Sequence, residues 1–125
     1  MVSGAQILFY IDDMDAALKF YKDAIGLEPI MEEPYFSLLK VNDGLNLGLH
    51  PPVGDKQEKG EKHPFDNGET TLSLVIDDIE GYVARIQQHG GRLDRIVEPE
   101  GGRRSRMGLV FDPSGNGFQV DQVVK

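Results

Sequence analysis

Ile11-Asp12-Asp13-Met14-Asp15 returns as Ile76-Asp77-Asp78-Ile79-Glu80, 65 residues further on, and Gly26 is matched by Gly91 at the same offset. A short unit is therefore used twice. Neither copy is long enough to bury a full core alone, so the two are expected to pair into one body whose shared cleft both would line.

The flanks of the repeated tract decide what each copy is. An apolar or alternating run (7 to 11; 72 to 76) enters the acidic pair, and a helical pattern leaves it. Met14, Ala17, Leu18, Tyr21 and Ile25 recur at helical spacing in the first copy, as do Ile79, Tyr82, Val83 and Ile86 in the second. Asp12 or Asp13, and Asp77 or Asp78, can accept hydrogen bonds from the free N–H groups of the first turn. Asp15 and Glu80 suit the positive end of the helix dipole. Capping thus accounts for the acidic pairs without a metal.

Gly26 is placed to end the first helix, and 35–41 and 45–50 read as strands joined around Asn42-Asp43-Gly44. In the second copy Gly90-Gly91 closes the helix, 92–97 reads as a short strand, and 107–111 pairs with 117–123 across Asp112-Pro113-Ser114-Gly115-Asn116. Each unit is β-α-β-β-β, which makes the fold α+β with antiparallel pairing dominant. The chain is one domain, 1–125, with repeat one at 5–50, a Pro/Gly-rich charged linker at 51–68 that could also act as a lid, and repeat two at 69–123.

Composition narrows the function class. Of the 125 residues 39% are hydrophobic, ordinary for a globular chain, and no apolar stretch approaches the ~20 residues that span a bilayer. With no basic, hydrophobic leader, a cytoplasmic location is expected. Zero cysteines exclude disulfides and thiolate chemistry. A net charge of −8 argues against nucleic acid and fits a cationic or neutral ligand. The basic cluster Arg103-Arg104 with Arg106 reads as a solvated loop or, alternatively, an anion site.

The repeat, the segment Asp13-Met14-Asp15-Ala16-Ala17-Leu18-Lys19-Phe20-Tyr21, the helix-ending Gly26-Leu27 and the turn at 112–116 resemble the glyoxalase/bleomycin-resistance/extradiol-dioxygenase, or vicinal oxygen chelate, superfamily. The resemblance covers nearly the whole chain. It implies two βαβββ repeats forming a curved, mostly antiparallel sheet with a concave cavity, and commonly a homodimer. Members include isomerases, dioxygenases, epoxide-opening resistance enzymes and non-catalytic antibiotic-binding proteins, so the fold does not choose an activity. Its enzymes hold a divalent metal on the concave face through side chains from four strands, mostly His and Glu. The matching positions here are Gln6, Gly48, Thr71 and Gln119. Amides, a hydroxyl and a glycine are poor ligands for zinc, nickel or iron, so no metal site is expected.

Alternation along the strands places Gln6, Tyr10, Gly48, His50, Thr71, Ser73, Gln119 and Asp121 on one face, opposite the apolar residues that should pack on the helices. Such a face suits hydrogen-bonded recognition of a small organic molecule, although an antiparallel sheet with one wet face alternates in the same way without a ligand. His50 is the candidate acid or base, with Asp121 to orient it or replace a missing ligand. Glu69 could complete such a site, while His50 before Pro51-Pro52 also reads as an exposed strand end, and His63 and His89 as linker and helix surface. The expectation is a binding protein without a catalytic metal. The alternatives are a divergent metal-dependent lyase, isomerase or dioxygenase, a metal-free isomerase using His50, and a dimeric interaction module.

Overall fold

The computed structural model describes residues 6–51, 71–100 and 105–124. Linker residues 52–68 with His63, Glu69 at the start of repeat two, and Arg103-Arg104 lie outside them. In repeat one, β1 (Ile7–Tyr10) leads into α1 (Met14–Lys19), then β2 (Glu28–Glu33), β3 (Phe36–Asn42) and β4 (Leu45–His50). Repeat two follows the same plan: β5 (Ser73–Ile76), α2 (Ile79–Gln88), β6 (Arg92–Val97), β7 (Ser105–Phe111) and β8 (Gly117–Val123). Each repeat forms its own four-stranded sheet, in the orders β1-β4-β3-β2 and β5-β8-β7-β6, and the two sheets do not close on each other. The first strand of each sheet is parallel to the last, and all other pairings are antiparallel.

The acidic pairs cap as expected. Asp13 Oδ1 accepts from the Ala16 N–H at 3.1 Å and Asp78 Oδ1 from the Gly81 N–H at 3.1 Å. Gln122 also accepts the Ile79 N–H at 2.9 Å, so β8 helps to hold the first turn of α2. The first helix is not uniform: α1 passes into a π-helical segment, Phe20–Ile25, ended by Gly26 at φ +88°. Phe20, Tyr21, Ala24 and Ile25 are all buried along it. Strand β2 was not located by periodicity. Glu28-Pro29-Ile30-Met31-Glu32-Glu33 carries a proline, has an irregular register between Pro29 and Met31, and lies at the sheet edge, where alternation is weakest.

The two repeats share one core. Phe20 packs edge-on to Tyr21 at 4.9 Å and meets Phe118 of the other repeat at 6.3 Å, while Ile86 and Val120 are wholly buried in the same cluster. Close approach requires Gly91, where a Cβ would lie 2.7 Å from Phe20 and 2.8 Å from the Phe111 carbonyl oxygen. The β7–β8 turn completes the join. Asp112 accepts from Tyr21 Oη at 2.8 Å, from the Ser114 and Asn116 N–H groups at 2.9 and 2.8 Å, and from Asn116 Nδ2 at 3.0 Å. Asn116 Nδ2 also donates to the Tyr10 carbonyl at 2.8 Å, and Ser114 Oγ accepts from the Asp12 N–H at 2.8 Å.

Candidate functional site

Burial fixes which face of each sheet is covered. Ile11, Leu39, Leu47, Leu49, Leu72, Leu74, Phe118 and Val120 are buried with the helices, which leaves Leu8, Tyr10, Gly48, His50, Ser73, Gln119 and Asp121 on the opposite, open faces. The registers make the two halves equivalent: Leu8 pairs with Gly48 and, 65 residues on, Ser73 pairs with Gln119. Gly48 and Gln119 therefore occupy one position of the repeat, and His50 and Asp121 another.

The two open faces differ in chemistry. In repeat one, a Cβ at Gly48 would lie 3.1 Å from Leu8 Cδ1 and from Phe36 Cε2, and the His50 ring sits edge-on to Tyr10 at 5.7 Å and to Phe36 at 6.3 Å. The expected polar face is here an aromatic and aliphatic patch. Leu8 and Phe36 were missed because both faces of β1 and β3 carry apolar residues, so alternation does not separate them. His50 Nδ1 lies 2.5 Å from the Pro51 carbonyl. A carbonyl only accepts, so Nδ1 carries the proton in the neutral ring and Nε2 keeps its lone pair.

In repeat two the open face is polar. Ser73 Oγ donates a short hydrogen bond to Asp121 Oδ2, and Gln119 Nε2 donates to the same oxygen at 2.8 Å. Met107, opposite Asp121 in the register, places its sulfur 3.9 Å from Gln119 Nε2. Asp121 Oδ1 is buried and has no hydrogen-bond partner among the described residues. Thr71 is committed to the frame, its hydroxyl donating to the Gly117 carbonyl at 2.5 Å, and Gln6 is exposed. His50 Nδ1 bonds to the Pro51 carbonyl and Asp121 Oδ2 to Ser73 and Gln119, and no hydrogen bond joins His50 to Asp121. Arg106 is not part of an anion site: its guanidinium is held by Glu98 at 3.0 Å and Glu80 at 2.5 Å. A separate depression of about 370 Å³ lies on the helix side between Ala16, Lys19, Gln88, His89, Gly90 and Pro113, and contains none of these groups.

The sequence model of the Glyoxalase/Bleomycin resistance protein/Dioxygenase superfamily matches residues 5–120. The chain belongs to that superfamily. It is 22% identical over 118 residues to a probable chloroplastic lactoylglutathione lyase of Arabidopsis thaliana, covering 91% of this chain but 34% of the relative, about a third of its length. Among solved structures it is similar to a lactoylglutathione lyase from Agrobacterium tumefaciens, with TM-score 0.66, 22% identity and coverage of 97% and 94% of the two chains. It is also similar to a glyoxalase/bleomycin resistance protein from Albidiferax ferrireducens T118, with TM-score 0.70, 20% identity and coverage of 97% and 98%. These structural likenesses establish the shared fold.

At the positions that the resemblance assigns to the superfamily's divalent metal, the residues present do not fit it. Gly48 lacks a side chain and is overlaid by Leu8 and Phe36; the Thr71 hydroxyl is bonded to Gly117 and the Gln119 amide to Asp121. Among the described residues no three His, Asp or Glu side chains converge into a metal-holding group. The described helices are also too short and polar to cross a membrane.

Proposed function

We propose that this chain is a small-molecule-binding protein of the superfamily that holds an organic ligand on the concave, open sheet face without the usual metal. The observation that carries this reading is the pairing of an aromatic patch, Tyr10, Phe36 and His50, with a hydrogen-bonding group, Ser73, Gln119 and Asp121, on faces the core does not use. Apolar contact and a few placed polar atoms are what small-molecule sites require. The working form is a homodimer. It is supported by the end strands β1 and β5, which pair on one side only, and by exposed Leu8, Tyr10 and Val75 beside them.

Protein purified without chelators is expected to carry less than one nickel, zinc, iron or manganese per chain by elemental analysis. A thermal-shift screen of small cationic and neutral metabolites and antibiotics supplies a ligand. Gln119→Leu should weaken its binding by about 1–3 kcal/mol, because the ligand's partner group is left unsatisfied. One tightly held metal per chain, lost in Gln119→Ala, would instead establish a divergent metal-dependent enzyme of the superfamily. A second reading, a metal-free isomerase, is favoured by the anchoring of His50 Nδ1 on Pro51, which presents Nε2 as a base. Under it, His50→Gln removes turnover of a ligand that the variant still binds.

A further inference from the structure

We infer that the polar half of this site selects ligands that donate hydrogen bonds: an amine, amidinium or guanidinium group carried on a small organic molecule. The inference rests on the binding reading above and names the chemistry that site would take.

It follows from counting donors and acceptors. Ser73 has one O–H, and it is given to Asp121 Oδ2. Gln119 has two N–H bonds on Nε2; one is given to Asp121 Oδ2 at 2.8 Å, and the amide nitrogen faces the Met107 sulfur at 3.9 Å. The amide cannot be turned round, because Oε1 would then face a carboxylate. Both donors thus converge on a single oxygen of Asp121, and the other, Oδ1, is buried with no partner among the described residues. What remains unused is acceptor capacity only: Asp121 Oδ1, Gln119 Oε1 and the lone pairs of Ser73 Oγ.

A buried carboxylate oxygen without a donor is costly to the folded state, and a ligand N–H placed there relieves that cost. An anionic or acceptor-only ligand meets repulsion at every atom of the group. Met107 stands opposite Asp121 in the register with its sulfur 3.9 Å from Gln119 Nε2, and its unbranched, adaptable side chain can move aside for an incoming group with little strain. The net charge of −8 adds a long-range field of the same preference.

The test uses three probes of similar shape, benzamidine, benzamide and benzoate, titrated into the whole chain and followed by amide chemical shifts. Benzamidine should shift Ser73, Gln119 and Asp121 and bind at least about tenfold more tightly than benzamide, with benzoate not binding there. Asp121→Asn should weaken benzamidine by about tenfold or more, since it removes the charge and sets an N–H against the ligand's donors. Ser73→Ala, which withdraws one competing donor and keeps the carboxylate, should hold or tighten it. The opposite directions separate recognition from loss of fold, even where Asp121→Asn fails to fold. Benzoate or benzamide binding at these residues as tightly as benzamidine overturns the donor preference and leaves the open-face site standing. Benzamidine shifts confined to the helix-side depression overturn both. No shift with any probe, or an unchanged affinity in Asp121→Asn, overturns the donor preference.

Discussion

Tyr21 shows how much one side chain does here. It is wholly buried, and its hydroxyl crosses from repeat one to Asp112 of repeat two. Burial first, then the charge of Asp112 and the hydrogen bond to it, hold the phenol's pKa well above its ordinary value. A raised folded-state pKa contributes stability that is complete below the unfolded value, about 10, and is lost as pH rises through the folded value. Tyr21→Phe is therefore expected to cost about 1–3 kcal/mol at neutral pH, read from denaturant melts. Asp112 Oδ2 keeps Asn116 Nδ2 at 3.0 Å, which limits the loss. Above pH about 10 the wild type should lose stability faster than the variant. Parallel alkaline curves would mean that the phenol does not ionise with unfolding.

At the scale of elements, helix faces and caps carry separable contributions. Ile86 is completely buried on α2, so Ile86→Ala should destabilise by about 2–5 kcal/mol. Leu18, expected from spacing to be a core residue, is only half-buried on α1, against the edge of the core, whereas Phe20, Tyr21, Ala24 and Ile25 of the π segment are buried. Leu18→Ala should cost clearly less, and equal losses would contradict this division of the helix. The other element-scale device is Arg106, which ties β7 to Glu98 and to Glu80 in the first turn of α2. The Arg106 hydrogen bond lowers the Glu80 pKa. A depressed carboxylate contributes above its unfolded pKa and loses that contribution as pH falls through the folded one. The melting-temperature difference between wild type and Glu80→Gln should thus be present at neutral pH, shrink with added salt, and fade as pH falls from the unfolded carboxylate value, about 4.3, through the lower folded one. A difference that persists in acid would assign the effect to packing.

For the whole molecule, a core shared by Phe20, Tyr21 and Phe118, joined through Asp112, Ser114 and Asn116, predicts that the repeats unfold together. Aromatic fluorescence and far-UV dichroism should give one coincident denaturant transition. Two separated transitions would mean that each repeat folds alone. Asp112→Ala, which removes the acceptor of four hydrogen bonds at the join, should lower that single midpoint more than Tyr21→Phe does.

The repeated Ile-Asp-Asp tract, the helical spacing after it and the Asp-Gly turn made the βαβββ repeat readable from the chain alone, because caps, turns and periodic faces are local properties. The open-face positions of Ser73, Gln119 and Asp121 were readable for the same reason: side chains two apart on a strand share a face. The rest required the folded molecule. Local spacing does not show where Phe36 lies over Gly48, that Thr71 is bonded away to Gly117, or that His50 and Asp121 stay in separate halves. Nor does it show that Ser73 and Gln119 give their hydrogens to one oxygen of Asp121 and leave the other bare. Those facts depend on which strands become neighbours and at what register, and register is set by contacts between residues far apart in the chain.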